Sequence, residues 1–201
     1  MTWENINLRT YAEIHNILIS NEIEQDEKLV LITQLIYDIN VLEKPIIEVR
    51  KYFDNVNTLL KTDMPKEVVQ DTYIINNVTY KLFKDVEKIS TAMFIDYSNY
   101  VQNDFSINNY NEFLSIFLIP EGHTYNDGYD IRKVQNDIDN FLPITTAYSI
   151  ASFFLSYSIR LQKTTLKFLM WEVLKNKTLK WKEKKKLIKQ MALLGDCYRC
   201  Y

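Results

Sequence analysis

The chain has 201 residues, of which 47% are apolar and 13% aromatic, which suits one domain, or a domain with an appendage, built around a real core rather than a disordered chain. Only three glycines and four prolines are present, too little material for the tight turns of an all-β sandwich or for phosphate-cradling loops, so helices are favoured and nucleotide sites disfavoured. The net charge of −2 conceals an asymmetry: residues 1–162 hold 13 Lys or Arg against 23 Asp or Glu, a net −10, whereas residues 163–201 hold 11 against 3, a net +8.

In chain order, helix signals dominate. Asn7 stands where a cap belongs, Thr10 and Glu13 have capping-box spacing, and Tyr11, Ile14 and Leu18 share one face. His15 lies near that stripe and reads as a histidine bonded in the core or at its edge. Asp26 opens a second helix with Leu29, Ile32, Ile36 and Ile39 on its stripe. Pro45 suits the first turn of a third, in which Ile46, Val49, Phe53, Val56 and Leu60 repeat at helical steps. "TYIINNVTYKLF", residues 72 to 83, breaks the pattern. Two β-rich runs flank Asn76-Asn77, and asparagine tolerates the positive φ of a two-residue hairpin turn. An isolated hairpin is marginal in water, so this one is expected to lie on the helical body or to pair with a partner's strand.

Helices resume with "TAMFIDYSNYV" at 91–101 and "NNYNEFLSIFLI" at 108–119, and Ile131, Val134, Ile138 and Phe141 mark another that Pro143 stops. From Asn140 to Ile159 there are 20 residues without a charge, about the length of a bilayer span. Threonines, serines, tyrosines and Pro143 dilute that run, so a central core helix is expected instead and no membrane is among the partners. Ala147, Ala151, Ser152 and Ser156 are small residues at four-residue spacing, which lets neighbouring helices approach closely. Continued through "RLQKTTLKFLMWEVLKNK", this helix would reach roughly 45 Å. "TLKWKEKKKLIKQMALLG" closes the chain with Trp181, Ile188, Met191 and Leu194 on one side, lysines on the other and Gly195 as a cap. The expected fold is mainly α: a multi-helix bundle with one small β-hairpin at about 72–83 and a long central C-terminal helix. It is organised as an acidic helical body, 1–162, and a basic helical extension, 163–201.

"IPEGHTYNDGYDIR", residues 119–132, is the best candidate for chemistry. Read as a calcium loop with Gly128 as its central glycine, it places His123, Tyr125, Asp127 and Val134 at ligand positions, and only Asp127 suits. His123, Asp127 and Asp130 could serve a transition metal, but one histidine with loop carboxylates is thin support. The plainer reading is a shaped connector between helices, with His123, Tyr125 and Tyr129 as candidate contacts for a protein neighbour. No G-x-S-x-G elbow, phosphate loop, H-E-x-x-H or dinucleotide fingerprint is present, so no catalytic residue, cofactor or metal is expected. Cys197 and Cys200 form a terminal C-x-x-C that lacks a second pair to close a zinc site, although two chains could share one.

The strong charge cluster is "KNKTLKWKEKKKLIK": Lys175, Lys177, Lys180, Lys182, Lys184, Lys185, Lys186 and Lys189, with Trp181 interleaved. Such a segment can track phosphates with salt-dependent affinity, yet the acidic body offers a ready protein partner. Protein contact is therefore favoured over DNA. The start, "MTWENINLRTYAEI", has no basic region followed by an apolar stretch, so synthesis and retention in a cytoplasm are expected.

"WENINLRTYAEI", "YIINNVTYKLF", "TAMFIDYSNYV", "FLSIFLIPEGHTYNDGYD" and "LPITTAYSIASFFL", in this order across roughly residues 3 to 160, resemble small helical proteins of tailed bacteriophages. The likeness is nearest to tail or baseplate-hub assembly proteins and to related proteins of crAss-like phages of gut Bacteroidales. It is one of pattern and order rather than of an invariant motif. The resemblance implies a non-enzymatic structural or assembly role in the host cytoplasm and then in the virion near the tail or neck, or a tail assembly chaperone. The implied partners are other phage structural proteins; separately, an acidic body with a basic tail can bind itself, bind a neighbouring copy head to tail as a homo-oligomer, or offer the tail to an anionic partner. The resemblance covers neither the lysine-rich segment nor "CYRCY".

Overall fold

The computed structural model describes residues 1–85, 88–103, 106–175, 181–187 and 189, apart from the side chains of 102–103 and 158–172. The protein is mainly helical with a small three-stranded antiparallel sheet. The chain divides into two units, Met1–Ala151 and Ser152–Tyr201, and the break falls inside a helix.

The first unit opens with three helices: α1 (Leu8–Ile19), α2 (Gln25–Tyr37) and α3 (Ile46–Lys61). Asn7 caps α1, its side-chain oxygen accepting the Thr10 N–H at 2.8 Å, which satisfies one of the orphan donors of the first turn. α2 ends at Tyr37 because Asp38 turns into the left-handed region at φ 51°, leaving Ile39 outside the helix that its periodicity extends. α3 buries Val49, Val56 and Leu59. Ile46, expected on that stripe, is 77% exposed beside the exposed Leu42 and Ile47. A periodic stripe runs to the helix end, whereas burial stops where the neighbouring element stops.

β1 (Thr72–Ile75) and β2 (Val78–Leu82) form the expected hairpin, with Asn76 and Asn77 at φ 48° and 60° in its turn. A strand not expected from the sequence, β3 (Leu118–Pro120), completes the sheet in the order β1-β2-β3, with Leu82 opposite Leu118 and Tyr80 opposite Pro120. The single helix expected over 108–119 is therefore corrected. A short 3₁₀ turn at Ile107–Asn109 leads into α5 (Tyr110–Phe117), which passes straight into β3. The physical reason is the unbroken burial of residues 113–119. A buried run that is apolar except for Ser115 suits helix and buried strand alike, and β2 supplies backbone partners while Pro120 has no N–H with which to extend a helix. The Phe83 N–H donates to the Phe117 carbonyl at 2.9 Å, and the Glu121 N–H to the Thr79 carbonyl at 2.9 Å.

α4 (Thr91–Asn103) packs on α5 through aromatic rings, with Tyr97 at 5.5 Å from Phe117 and Tyr100 at 5.3 Å from Phe113. α6 (Ile131–Phe141) buries Val134 and Ile138 as expected, but Phe141 is 52% exposed and Leu142 takes the buried place. Pro143 then separates α6 from α7 (Ile144–Lys175), a helix of 32 residues. The first part of α7 is core. Ile144, Thr145, Ala147, Ile150 and Ala151 are 0–1% exposed; the Thr145 hydroxyl is buried without a partner among the described residues, whereas Thr146 and Ser149 reach a loop residue. Thr146 donates to the Glu67 carboxyl at 2.7 Å, and the Ser149 hydroxyl accepts the Glu67 N–H at 2.9 Å. Among the described residues no helix is long and apolar enough to cross a membrane.

The chain start is clipped to the α6–α7 corner. The Leu8 N–H donates to the Leu142 carbonyl at 3.1 Å, the Ile144 N–H to the Ile6 carbonyl at 2.8 Å, and the Asn7 amide to the Asn140 carbonyl at 2.9 Å. Asn7 thus caps one helix and receives the end of another. Asn7→Ala removes both bonds and is expected to lower stability by about 1–2 kcal/mol, read as a fall in the urea midpoint at an unchanged m-value.

Candidate functional site

The 119–132 connector is built from two turns. The His123 N–H closes the first on the Pro120 carbonyl at 3.2 Å, with Gly122 at φ +86°; the Asp127 N–H closes the second on the Thr124 carbonyl at 3.0 Å, with Asn126 at φ 60°. Gly128 follows at φ +77°, and a Cβ there would lie 2.9 Å from His123 Nδ1. Glycine is required both for the backbone angle and for the ring beside it. The His123 ring meets the Tyr129 ring edge-on at 5.9 Å, and Asp130 caps α6 by accepting the Arg132 N–H at 2.9 Å. The carboxylates that a metal reading would use are engaged locally, Asp130 in that cap and Asp127 facing the Thr124 hydroxyl at 3.4 Å. Among the described residues no three His, Cys, Asp or Glu side chains converge on a metal position.

Of the three candidate contacts in this loop, His123 is exposed, whereas Tyr125 and Tyr129 are half-buried. Tyr125 reaches across to α4, donating its hydroxyl to Asp96 at 2.6 Å. Burial, then the bond to Asp96 and its charge, hold this phenol well above its usual range. The reach of Tyr125 closes one side of a cleft of about 400 Å³. α4 contributes Asp96 and Tyr100 to the lining, α5 contributes Glu112, and α6 contributes Ile131 and Gln135. Tyr100 donates to the Asn109 carbonyl, and Ser115 to the Glu112 carbonyl at 2.7 Å, so these hydroxyls are spent on the frame. What remains facing the cleft is chiefly acceptor: two carboxylates among amides and phenols. Such a lining suits a hydrogen-bond donor carrying positive charge.

Behind the cleft, α6 turns Asp137 inward. It is 2% exposed, and its two oxygens accept from the Asn76 amide and the Tyr80 hydroxyl, each at 2.9 Å. This node joins the hairpin to α6. It lies apart from the cleft lining and serves the frame.

In the second unit, residues 181–187 are helical. Trp181 is 70% exposed, Lys182, Lys185, Lys186 and Lys189 are exposed, and Lys184 is half-buried, donating to the Leu174 carbonyl at 2.7 Å. Lys175 is exposed at the end of α7. Lys177, Lys180, Cys197 and Cys200 lie outside the described residues.

Asp96, Glu112 and Tyr100 are the site residues that periodicity and motif reading miss, since none belongs to a chemical motif. A signal for them does exist: residues 89–131 hold six carboxylates and no lysine or arginine. No family model, no curated protein and no solved structure matches the chain.

Two outcomes test this geometry. Gly128→Ala is expected to cost about 1–2 kcal/mol from the left-handed backbone, with a further loss from the His123 contact that the double variant with His123→Ala relieves; a double-mutant cycle on denaturant midpoints measures the difference. Burial first, then Tyr148 and Tyr11, pushes Tyr110 from 10.0 up to about 12. A phenol with a folded pKa above its unfolded value contributes stability that is fully present below pH of about 10. That contribution falls away as pH rises through about 12, and phenolate absorbance recorded with circular dichroism should show ionisation accompanying unfolding.

Proposed function

We propose that the protein is a non-enzymatic structural or assembly component of a tailed bacteriophage, acting through protein–protein contacts near the tail or neck of the virion. The reading rests on the ordered likeness of five stretches between about residues 3 and 160. One observation carries it further: in the first unit those stretches pair with one another instead of lying apart. The stretch from Trp3 meets the one from Leu142 through two backbone bonds at Leu8 and Ile144. The hairpin pairs with the stretch from Phe113 through β2 and β3, and that stretch meets α4 through the Tyr97 ring and the Tyr125–Asp96 bond.

In the cleft the Tyr100 and Ser115 hydroxyls donate to backbone carbonyls and the Tyr125 hydroxyl donates to Asp96, so these groups brace the frame on which a contact surface would be carried. The chaperone version uses the same surfaces and differs in whether the protein leaves before the particle matures. Mass spectrometry of purified virions beside infected-cell lysate separates the two. Peptides of this chain at a defined ratio to tail proteins in the virion are the expected result. Absence from virions removes the structural version, and the chaperone version then requires a stable complex with a tail protein in the lysate.

A further inference from the structure

Resting on that assembly reading, we infer that the cleft between α4, α5 and α6 is a socket for lysine side chains from the 181–189 segment of a second copy of this chain. The segment that builds α4, α5 and the loop holds Asp96, Asp104, Glu112, Glu121, Asp127 and Asp130 without one basic residue. Asp96 and Glu112 bring that charge to the cleft, and among the described residues neither has an ion-pair partner. The Tyr125 hydroxyl engages one oxygen of Asp96, which orients the carboxylate and leaves its other oxygen to accept. Tyr100 and Tyr125 supply ring surface along which the methylene stem of a lysine can lie, with its ammonium at the carboxylates. At about 400 Å³ the cleft has room for long side chains and not for a folded element.

The complementary part is in the same sequence. Lys182, Lys185, Lys186 and Lys189 fall at three- and four-residue steps, so they share one side of a helix, and all four are exposed beside Trp181. A chain that carries both a carboxylate socket and a lysine plug associates head to tail, which makes a ring if the rotation closes and a filament if it does not. The socket would repel phosphate, so the cleft itself is no place for nucleic acid. Opposite charges brought together in a partly desolvated cleft give specificity and an association rate that falls with salt.

The test is sedimentation equilibrium of the full-length recombinant chain. The expected result is an oligomer at about 50 mM salt that dissociates at about 500 mM, as the screening length shortens. Asp96→Asn with Glu112→Gln, and separately Lys182→Gln with Lys185→Gln and Lys186→Gln, should each weaken self-association by about tenfold or more. An equimolar mixture of the two variants keeps one intact socket and one intact plug and should restore a dimer. Asp96→Asn retains an acceptor for Tyr125, and circular dichroism checks the helices; Glu112→Gln alone replaces the pair if helicity falls. A wild type that stays monomeric at low salt overturns the inference, whether its lysines occupy its own cleft or retain DNA. So does an oligomer that ignores both sets of substitutions, or a mixture that restores nothing. Absence of the protein from virions defeats the phage reading and leaves this measurement intact, while a monomeric chain defeats the socket and leaves the virion reading standing.

Discussion

The buried carboxyl of Asp137 ties the hairpin to α6. It sits in α6 beside Ile138, on the face that packs inward, and a carboxyl taken out of water must be given donors or its desolvation goes uncompensated. Both donors come from the hairpin, Asn76 in its turn and Tyr80 on β2. That demand selects the two-residue turn, because only with Asn76 and Asn77 in the left-handed region does Tyr73 face Tyr80 in register. A slip of one residue would turn Tyr80 to the other face of the sheet. The phenol answers in kind: its burial, followed by its bond to Asp137, raises it well above the usual range.

The consequences run outward from that register. With β2 set, β3 can pair only where Leu82 meets Leu118, and that pairing marks where α5 ends and where the 119–132 connector begins. Gly122, Asn126 and Gly128 then turn the connector back so that Tyr125 meets Asp96 on α4. The cleft is thus a product of sheet register transmitted through a loop with two defined turns. The rings of Tyr97, Tyr100, Phe113 and Phe117 hold the facing helices at a fixed separation beneath it.

Charge follows a simpler division. Residues 89–131 are wholly without cations, so the carboxylates around the cleft have no basic neighbour in their own segment. Ten of the 19 lysines fall in residues 163–201, where the described ones are mostly exposed. Separation of this kind favours contacts between molecules over internal pairing along the sequence.

Helix positions in the body, the Asn7 cap, the Asn76-Asn77 turn and the core character of residues 142–151 within the uncharged run could all be read from the sequence. Each depends on local geometry, either the backbone angle a residue tolerates or the spacing of apolar groups along one element. The same periodicity overran at Ile39, Ile46 and Phe141, because a stripe carries no record of where its neighbour ends. Residues 113–119 show the deeper limit. A buried run that is apolar except for Ser115 satisfies a helix or a strand equally, and only the unpaired edge of β2 decided that its last residues became β3. The loop is a similar case, since its glycines announced a bend, but which carboxylate Tyr125 would meet depended on a strand 40 or so residues earlier in the chain. Local preference is written residue by residue, whereas a cleft exists only after distant segments have found hydrogen-bond partners for one another.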